Sequence, residues 1–222
     1  QRGDRVIVPA LAWATTYAPL VQHGLDLVLA DCDATWCADP ASVKGVENIR
    51  LVIGCPILGN PTHQFVWREF ARSLDAYYME DACESVGASL QGKLAGTQGL
   101  LNTFSFYWSH QISAIEGGMI LTEDNEMNDL CRMLRDHGMT RWKKPKTFEA
   151  EYDFRLMGYN VRPLELHAAI AREQLKKLHD LIDSRSRNYA YFKQVTNGMA
   201  IVHPKPNGKM SPFGLHFTVG SG

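Results

Sequence analysis

Short, mostly apolar runs recur along the first part of the chain, at Arg5–Ala10, Leu25–Ala30, Ile49–Ile53 and Ala76–Met79. Between them lie stretches of helical length, Thr15 to His23 with Gly24 as its stop, and Gln64 to Leu74. Acidic residues close two of the runs, Asp31-Cys32-Asp33 after the second and Glu80-Asp81 after the fourth. Strands covered on both faces read as nearly unbroken apolar runs, and they alternate with helices when the sheet is parallel. The pattern therefore predicts an α/β domain built on a largely parallel sheet.

Two more strands follow, Thr103–Tyr107 and Gly118–Leu121. Asp124 then caps a helix whose stripe Met127, Leu130, Cys131, Leu134 keeps the spacing of one helical face, with Gly138 as its stop. Pro163 suits the first turn of a further helix, with Glu165 near the positive end of its dipole. Leu164, Ala168, Ala171, Leu175 and Leu178 make that helix's predicted buried face. Residues 1–178 form the expected large domain. A polar helix from about Asp180 to Val195 leads out of it, so that residues 179–222 read as a connecting helix and the beginning of a smaller unit.

Charge narrows the functional classes. The 222 residues hold 23 Lys and Arg against 24 Asp and Glu, a net charge of −1, which leaves no basic footprint for nucleic acid or anionic membrane. The apolar stretch Leu51–Leu58 is broken by Gly54 and Pro56 and falls far short of the roughly 20 residues of a membrane span. Five cysteines, an odd number without C-x-x-C, read as reduced thiols of a cytoplasmic protein. The eight histidines show no i,i+4 pair, so a zinc site has little support.

Candidate chemistry gathers where the strands end. In open α/β sheets, ligands bind beyond the carboxyl ends of the strands. Asp81 stands there, and it suits either a cationic ring nitrogen or the capping of the next turn. Trp13 suits a flat ring or a half-buried core. His110 reads as an acid–base group or an ordinary solvated histidine, and Asn160 as a ligand or a helix-entry residue. Taken singly, each has an unremarkable structural alternative.

Their order distinguishes them. Gly3-Asp4-Arg5-Val6-Ile7-Val8-Pro9-Ala10, Trp13 with Thr15-Thr16, Leu58-Gly59-Asn60-Pro61 and Glu80-Asp81-Ala82-Cys83-Glu84-Ser85-Val86-Gly87-Ala88 occur in succession. Gly96-Thr97-Gln98-Gly99, Phe104-Ser105-Phe106, Glu116-Gly117-Gly118 and Gly158-Tyr159-Asn160-Val161-Arg162 complete the set. This order resembles the DegT/DnrJ/EryC1/StrS sugar aminotransferase family of fold type I pyridoxal-phosphate enzymes, over residues 3 to about 195. The resemblance implies a large domain with a mostly parallel mixed sheet between helices, and the start of a smaller C-terminal domain. It also implies a Ser/Thr-Gly-rich phosphate turn ahead of Gln1, so the chain reads as part of a longer protein.

Carried over by residue, the resemblance makes Asp81 the partner of the protonated pyridine nitrogen and Trp13 the aromatic stacked on the cofactor ring. Ser105 resembles the phosphate-binding serine, and Asn160 the asparagine that reaches the phosphate from a neighbouring subunit, which implies a homodimer with shared sites. Glu84 matches the position near the ring hydroxyl.

One departure is informative. Where most of the family has the lysine that bonds the cofactor covalently, this chain has His110. Imidazole cannot make that bond but remains a competent acid–base group. Ser109-His110-Gln111-Ile112-Ser113-Ala114-Ile115-Glu116-Gly117-Gly118 resembles the motif of the 4-keto-6-deoxysugar 3-dehydratases. Residues 138–158 hold no cysteine, which removes the thiolate ligands of the iron–sulfur class acting on CDP-linked sugars and favours the cluster-free class acting on a GDP-linked sugar.

The resemblance thus implies pyridoxal 5′-phosphate and pyridoxamine 5′-phosphate as cofactors, a nucleotide sugar as substrate, L-glutamate as amino donor and His110 as the catalytic base. Two other readings stand beside it. A non-catalytic sugar-binding or regulatory relative is opposed by the intact Asp81, Ser105 and Asn160. A metal- or nucleotide-binding module of unrelated chemistry is opposed by the lack of G-x-G-x-x-G or ligand spacing.

Overall fold

A computed structural model describes residues 1–143 and 147–219. Its centre is a six-stranded sheet in the order β2-β1-β3-β4-β7-β8, from β1 (Arg5–Pro9), β2 (Asp26–Ala30), β3 (Ile49–Gly54), β4 (Tyr77–Asp81), β7 (Leu101–Ser105) and β8 (Gly118–Leu121). All neighbours are parallel except β8, which runs antiparallel to β7. A short hairpin, β5 (Ser89–Leu90) with β6 (Lys93–Leu94), stands apart from it.

Alternation along β1 sorts its side chains into two cores. Ile7 points to the layer of α2 (Gln64–Ser73), where Val52, Trp67, Ala71 and Tyr78 are buried with it. Val6 and Val8 point the other way with Ile53, against Tyr17 and Leu20 of α1 (Ala14–Gln22). A sheet covered on both faces explains the unbroken apolar runs. The helix α3 (Asn125–Arg135) has its cap as predicted, Asp124 accepting from the Met127 N–H at 2.8 Å. Its exit differs slightly, because His137 as well as Gly138 takes the left-handed conformation there, at φ 57° and 86°.

The fourth strand does not stop before its acidic pair. Glu80 and Asp81 belong to β4, and Glu80 is wholly buried. Its carboxylate accepts from the Gly96 and Gln98 N–H groups at 2.8 and 3.1 Å and from the Tyr78 hydroxyl at 3.1 Å. Donors on every side make burial of the acid tolerable. The same bonds pin the Gly96 turn, where φ is +79° and an added Cβ would stand 2.2 Å from Phe104. The next strand is likewise displaced, running Leu101–Ser105 rather than 103–107.

The predicted buried face after Pro163 is not buried. The helix α5 (Glu165–Leu175) begins after an extended Leu164, and Pro163 lies just outside it. Leu164 and Leu175 are 62% and 55% exposed, as is Leu166 at 62%. Periodicity reports that a helix has an apolar face, not that this chain covers it. Between α3 and α5 lies the single turn α4 (Phe148–Glu151), and α6 (Leu178–Val195) follows.

Beyond α6, β9 (Ile201–Val202) pairs with β10 (Thr218–Val219), but the chain between them returns to the large domain. The Ser211 N–H donates to Gly59 O at 2.9 Å, and the Ser211 hydroxyl to Val86 O at 2.6 Å. Residues 220–222, the end of the expected smaller unit, lie outside the described residues.

Candidate active site

The carboxyl edge of the sheet gathers most of the predicted groups. Asp81 ends β4, opposite Thr103 of β7 in register. One oxygen of its carboxylate accepts from the Thr16 hydroxyl at 2.7 Å, the other from Thr103 Oγ1 and the Cys83 N–H at 3.4 Å each. Thr16 lies in the first turn of α1, and its own N–H donates to Trp13 O at 2.9 Å. That turn sets Trp13, 72% exposed, one helical step from the Asp81 carboxylate. An indole so open to solvent is available for stacking and contributes little to the core.

Ser105 closes β7 two residues beyond Thr103, its hydroxyl accepting from the Tyr107 N–H at 3.2 Å. Glu84 follows β4 on the loop, where it accepts from the Leu58 N–H at 2.7 Å. Burial raises the Glu84 pKa; the Leu58 N–H opposes the rise and the charge of Asp81 adds to it. Burial, and then the charges of Asp81 and Glu84, push the thiol of Cys55, beyond β3, well above the usual range.

His110 stands on the loop after β7, its N–H bonded to Tyr107 O at 3.0 Å. Its ring lies between aromatic neighbours, 5.1 Å from the ring of Phe213 and 5.9 Å from that of Tyr107. Its Nδ1 is buried and has no hydrogen-bond partner. Burial, and then the positive charge of Arg185, hold its pKa below the ordinary imidazole range. An uncharged imidazole with one nitrogen uncommitted can take up a proton and give it back. Neither Lys93 nor Lys143 stands here: Lys93 is exposed on β6, and Lys143 is paired with Asp129.

Asn160 is not brought to this edge by the contacts it makes. It bridges Asp136 beyond the end of α3, and its side chain accepts from Arg162 at 3.1 Å. It is exposed. Four further residues shape the site: Thr16 and Gln111, which lie within the quoted motifs, and Arg185 and Phe213, which have no local signal in the sequence. Gln111 is 1% exposed and donates to Glu84 O at 2.6 Å and Ser211 O at 3.1 Å, bonds that no nearby residue announces.

No group of three or more potential metal ligands occurs among the described residues, and no helix among them is long and apolar enough to cross a membrane. The five cysteines are all unpaired. A cavity of about 380 Å³ lies at the amino ends of the strands, lined by Val6, Leu51, Tyr77 and Leu101. It is remote from the groups above.

The sequence model of the DegT/DnrJ/EryC1/StrS aminotransferase family matches residues 1–219. GDP-4-keto-6-deoxy-D-mannose 3-dehydratase of Yersinia pseudotuberculosis is 40% identical over 97% of this chain and 58% of its own length. The enzyme of that name from Escherichia coli O55:H7 is 38% identical over 99% and 60%. A solved structure of the E. coli 3-dehydratase with bound hydrated PLP superposes with a TM-score of 0.93 at 37% identity, covering all of this chain and 60% of that one. The chain thus spans about three fifths of the length of these relatives.

Proposed function

The chain belongs to the DegT/DnrJ/EryC1/StrS aminotransferase family, and we propose that the protein it represents is a pyridoxamine-phosphate-dependent 3-dehydratase. Its substrate on this reading is a nucleotide-linked 4-keto-6-deoxysugar, GDP-4-keto-6-deoxy-D-mannose, from which the C3 hydroxyl is removed. The carrying observation is His110: an imidazole with a buried, unpartnered Nδ1 stands where a lysine would hold the cofactor covalently.

The residues present fit pyridoxal and pyridoxamine phosphate. Asp81 would hold the ring nitrogen protonated, Trp13 would lie on the ring face, Glu84 would approach the ring hydroxyl and Ser105 the phosphate. When bound, pyridoxamine phosphate supplies an amine for the C4 ketone and a ring that accepts electrons. His110 would take the proton from the carbon bearing that amine and deliver one to the departing C3 hydroxyl. Water would then release the sugar in its 3-deoxy form with ammonia, and L-glutamate would serve as the amino donor. Five unpaired thiols accord with work in the cytoplasm. Residues 1–178 serve as the cofactor-binding domain, and 179–222 as a connecting helix and the start of a smaller one, with Ser211–Phe213 folded back onto the first.

A test uses the full-length protein charged with pyridoxal phosphate. Borohydride should leave no cofactor bonded to it, and with glutamate and the GDP-linked ketosugar it should yield a 3-deoxy sugar and ammonia. A cofactor–lysine adduct, or an aminated sugar that keeps its C3 hydroxyl, overturns the reading.

We further propose a homodimer with shared sites. Asn160 is exposed, and the apolar residues Leu164, Leu166 and Leu175 that follow it on and before α5 are exposed as well and suited to a second copy. Mixing Asn160→Ala with His110→Asn subunits should restore turnover through hybrid sites. Failure to recover activity despite proven subunit exchange would count against sharing.

A further inference from the structure

Arg185 belongs to α6, a polar helix whose sequence gives it no functional role, yet its guanidinium is spent on three backbone carbonyls. Nη2 donates to Ser109 O at 3.2 Å, and Nη1 donates to Phe213 O at 2.9 Å and Pro212 O at 3.4 Å. Ser109 immediately precedes His110. Pro212 and Phe213 belong to the returning segment, whose Phe213 ring lies 5.1 Å from the imidazole. One side chain thus ties the loop that carries His110 to the segment that covers it. Gln111 makes the companion link on the other side of His110, to Ser211 and Glu84.

We propose that Arg185 is the positioning residue of His110: it clamps the His110 loop against Ser211–Phe213, so that the imidazole is held between Phe213 and Tyr107 with its Nδ1 out of water. This rests on the reading of His110 as the base. A planar fork holds carbonyls on two segments in one fixed geometry, whereas the three donors of an ammonium radiate from a single nitrogen and cannot span the same spread. The clamp also brings a fixed positive charge to the imidazole, and burial and that charge both favour its neutral form. The groups around the ring are few. Tyr107 faces it from its own loop and Phe213 from the returning segment, with His216 stacked 6.5 Å behind Phe213; Arg185 faces it from α6.

The experiment follows the His110 ring signal by NMR in histidine-labelled full-length protein, assigned with His110→Asn, alongside single-turnover elimination. In the unchanged protein the midpoint should lie below the ordinary imidazole value of about 6.5. In Arg185→Gln it should move up, kcat should fall about 10–100-fold as the base loses its place, and KM should change little. Arg185→Lys keeps the charge but not the fork. Its midpoint should rise less than that of Arg185→Gln, and it should lose cross-relaxation between the Phe213 and His110 rings and show a lowered kcat. If Arg185→Gln does not fold, the Arg185→Lys ring contact and kcat decide alone. An unmoved midpoint in folded Arg185→Gln, or intact ring contact and kcat in Arg185→Lys, overturns the proposal. The ring measurements stand apart from the chemistry: a clamp confirmed in a protein that eliminates nothing refutes the dehydratase reading alone, and an active enzyme indifferent to Arg185 refutes the clamp alone.

Discussion

His110→Asn should bind the cofactor and fold normally, yet lose elimination by about 10²–10⁴-fold, the usual cost of removing a general base. The loss should be at the upper end if the same imidazole also protonates the leaving hydroxyl. Asparagine is near enough in size to fill the space between Tyr107 and Phe213, and Nδ1 makes no hydrogen bond whose loss would unsettle the loop. The pH dependence follows from the same surroundings. Burial and Arg185 lower the His110 pKa, so the base is present at neutral pH and is lost only as acid protonates it. Single-turnover rates on the GDP-linked ketosugar should therefore fall on the acid side with a midpoint below about 6.5, and that limb should vanish in His110→Asn. An asparagine variant that still releases ammonia near the wild-type rate would remove His110 from the chemistry.

Asp81→Asn should cost about 10²–10³-fold in elimination, the range seen when a preorganised electrostatic partner is removed, with little loss of stability. The amide oxygen can still accept from Thr16 Oγ1, which now donates at 2.7 Å. What disappears is the negative charge that would keep a pyridine nitrogen protonated. The signature is spectroscopic as well as kinetic: the absorbance of bound cofactor should change while far-ultraviolet circular dichroism does not. Wild-type turnover in a folded Asp81→Asn protein would show that the carboxylate is only a cap for the Cys83 turn.

The sheet was legible in the sequence because burial on both faces writes itself as uninterrupted apolar runs. Four early strands and both early helices lie on those runs, though the fourth strand continues through its acidic pair. Strand ends were less legible. Glu80 looks like a terminator, but three donors from Tyr78, Gly96 and Gln98 make a buried carboxylate compatible with the strand. Asp81, Ser105 and His110 could be proposed from ordered motifs because each motif is local, Asp81 at the end of β4 and Ser105 and His110 at and just beyond the end of β7. Arg185 and Phe213 were not, because their partners are 76 and 28 residues away along the chain and nothing periodic links them. The face of α5 failed for another reason: amphipathicity is a property of one helix, whereas burial belongs to two surfaces.

The return of Ser211–Phe213 to the sheet has a consequence for the order of events during synthesis. Gln111 and its acceptor Ser211 are separated by 100 residues, a span a ribosome takes about 5–20 s to make. The parallel strands and their helices are all available for pairing well before then. A nascent chain can therefore hold a folded sheet while the loop around His110 still lacks the wall that Phe213 supplies. The His110 ring is walled in only after α6 has emerged and the following residues have turned back.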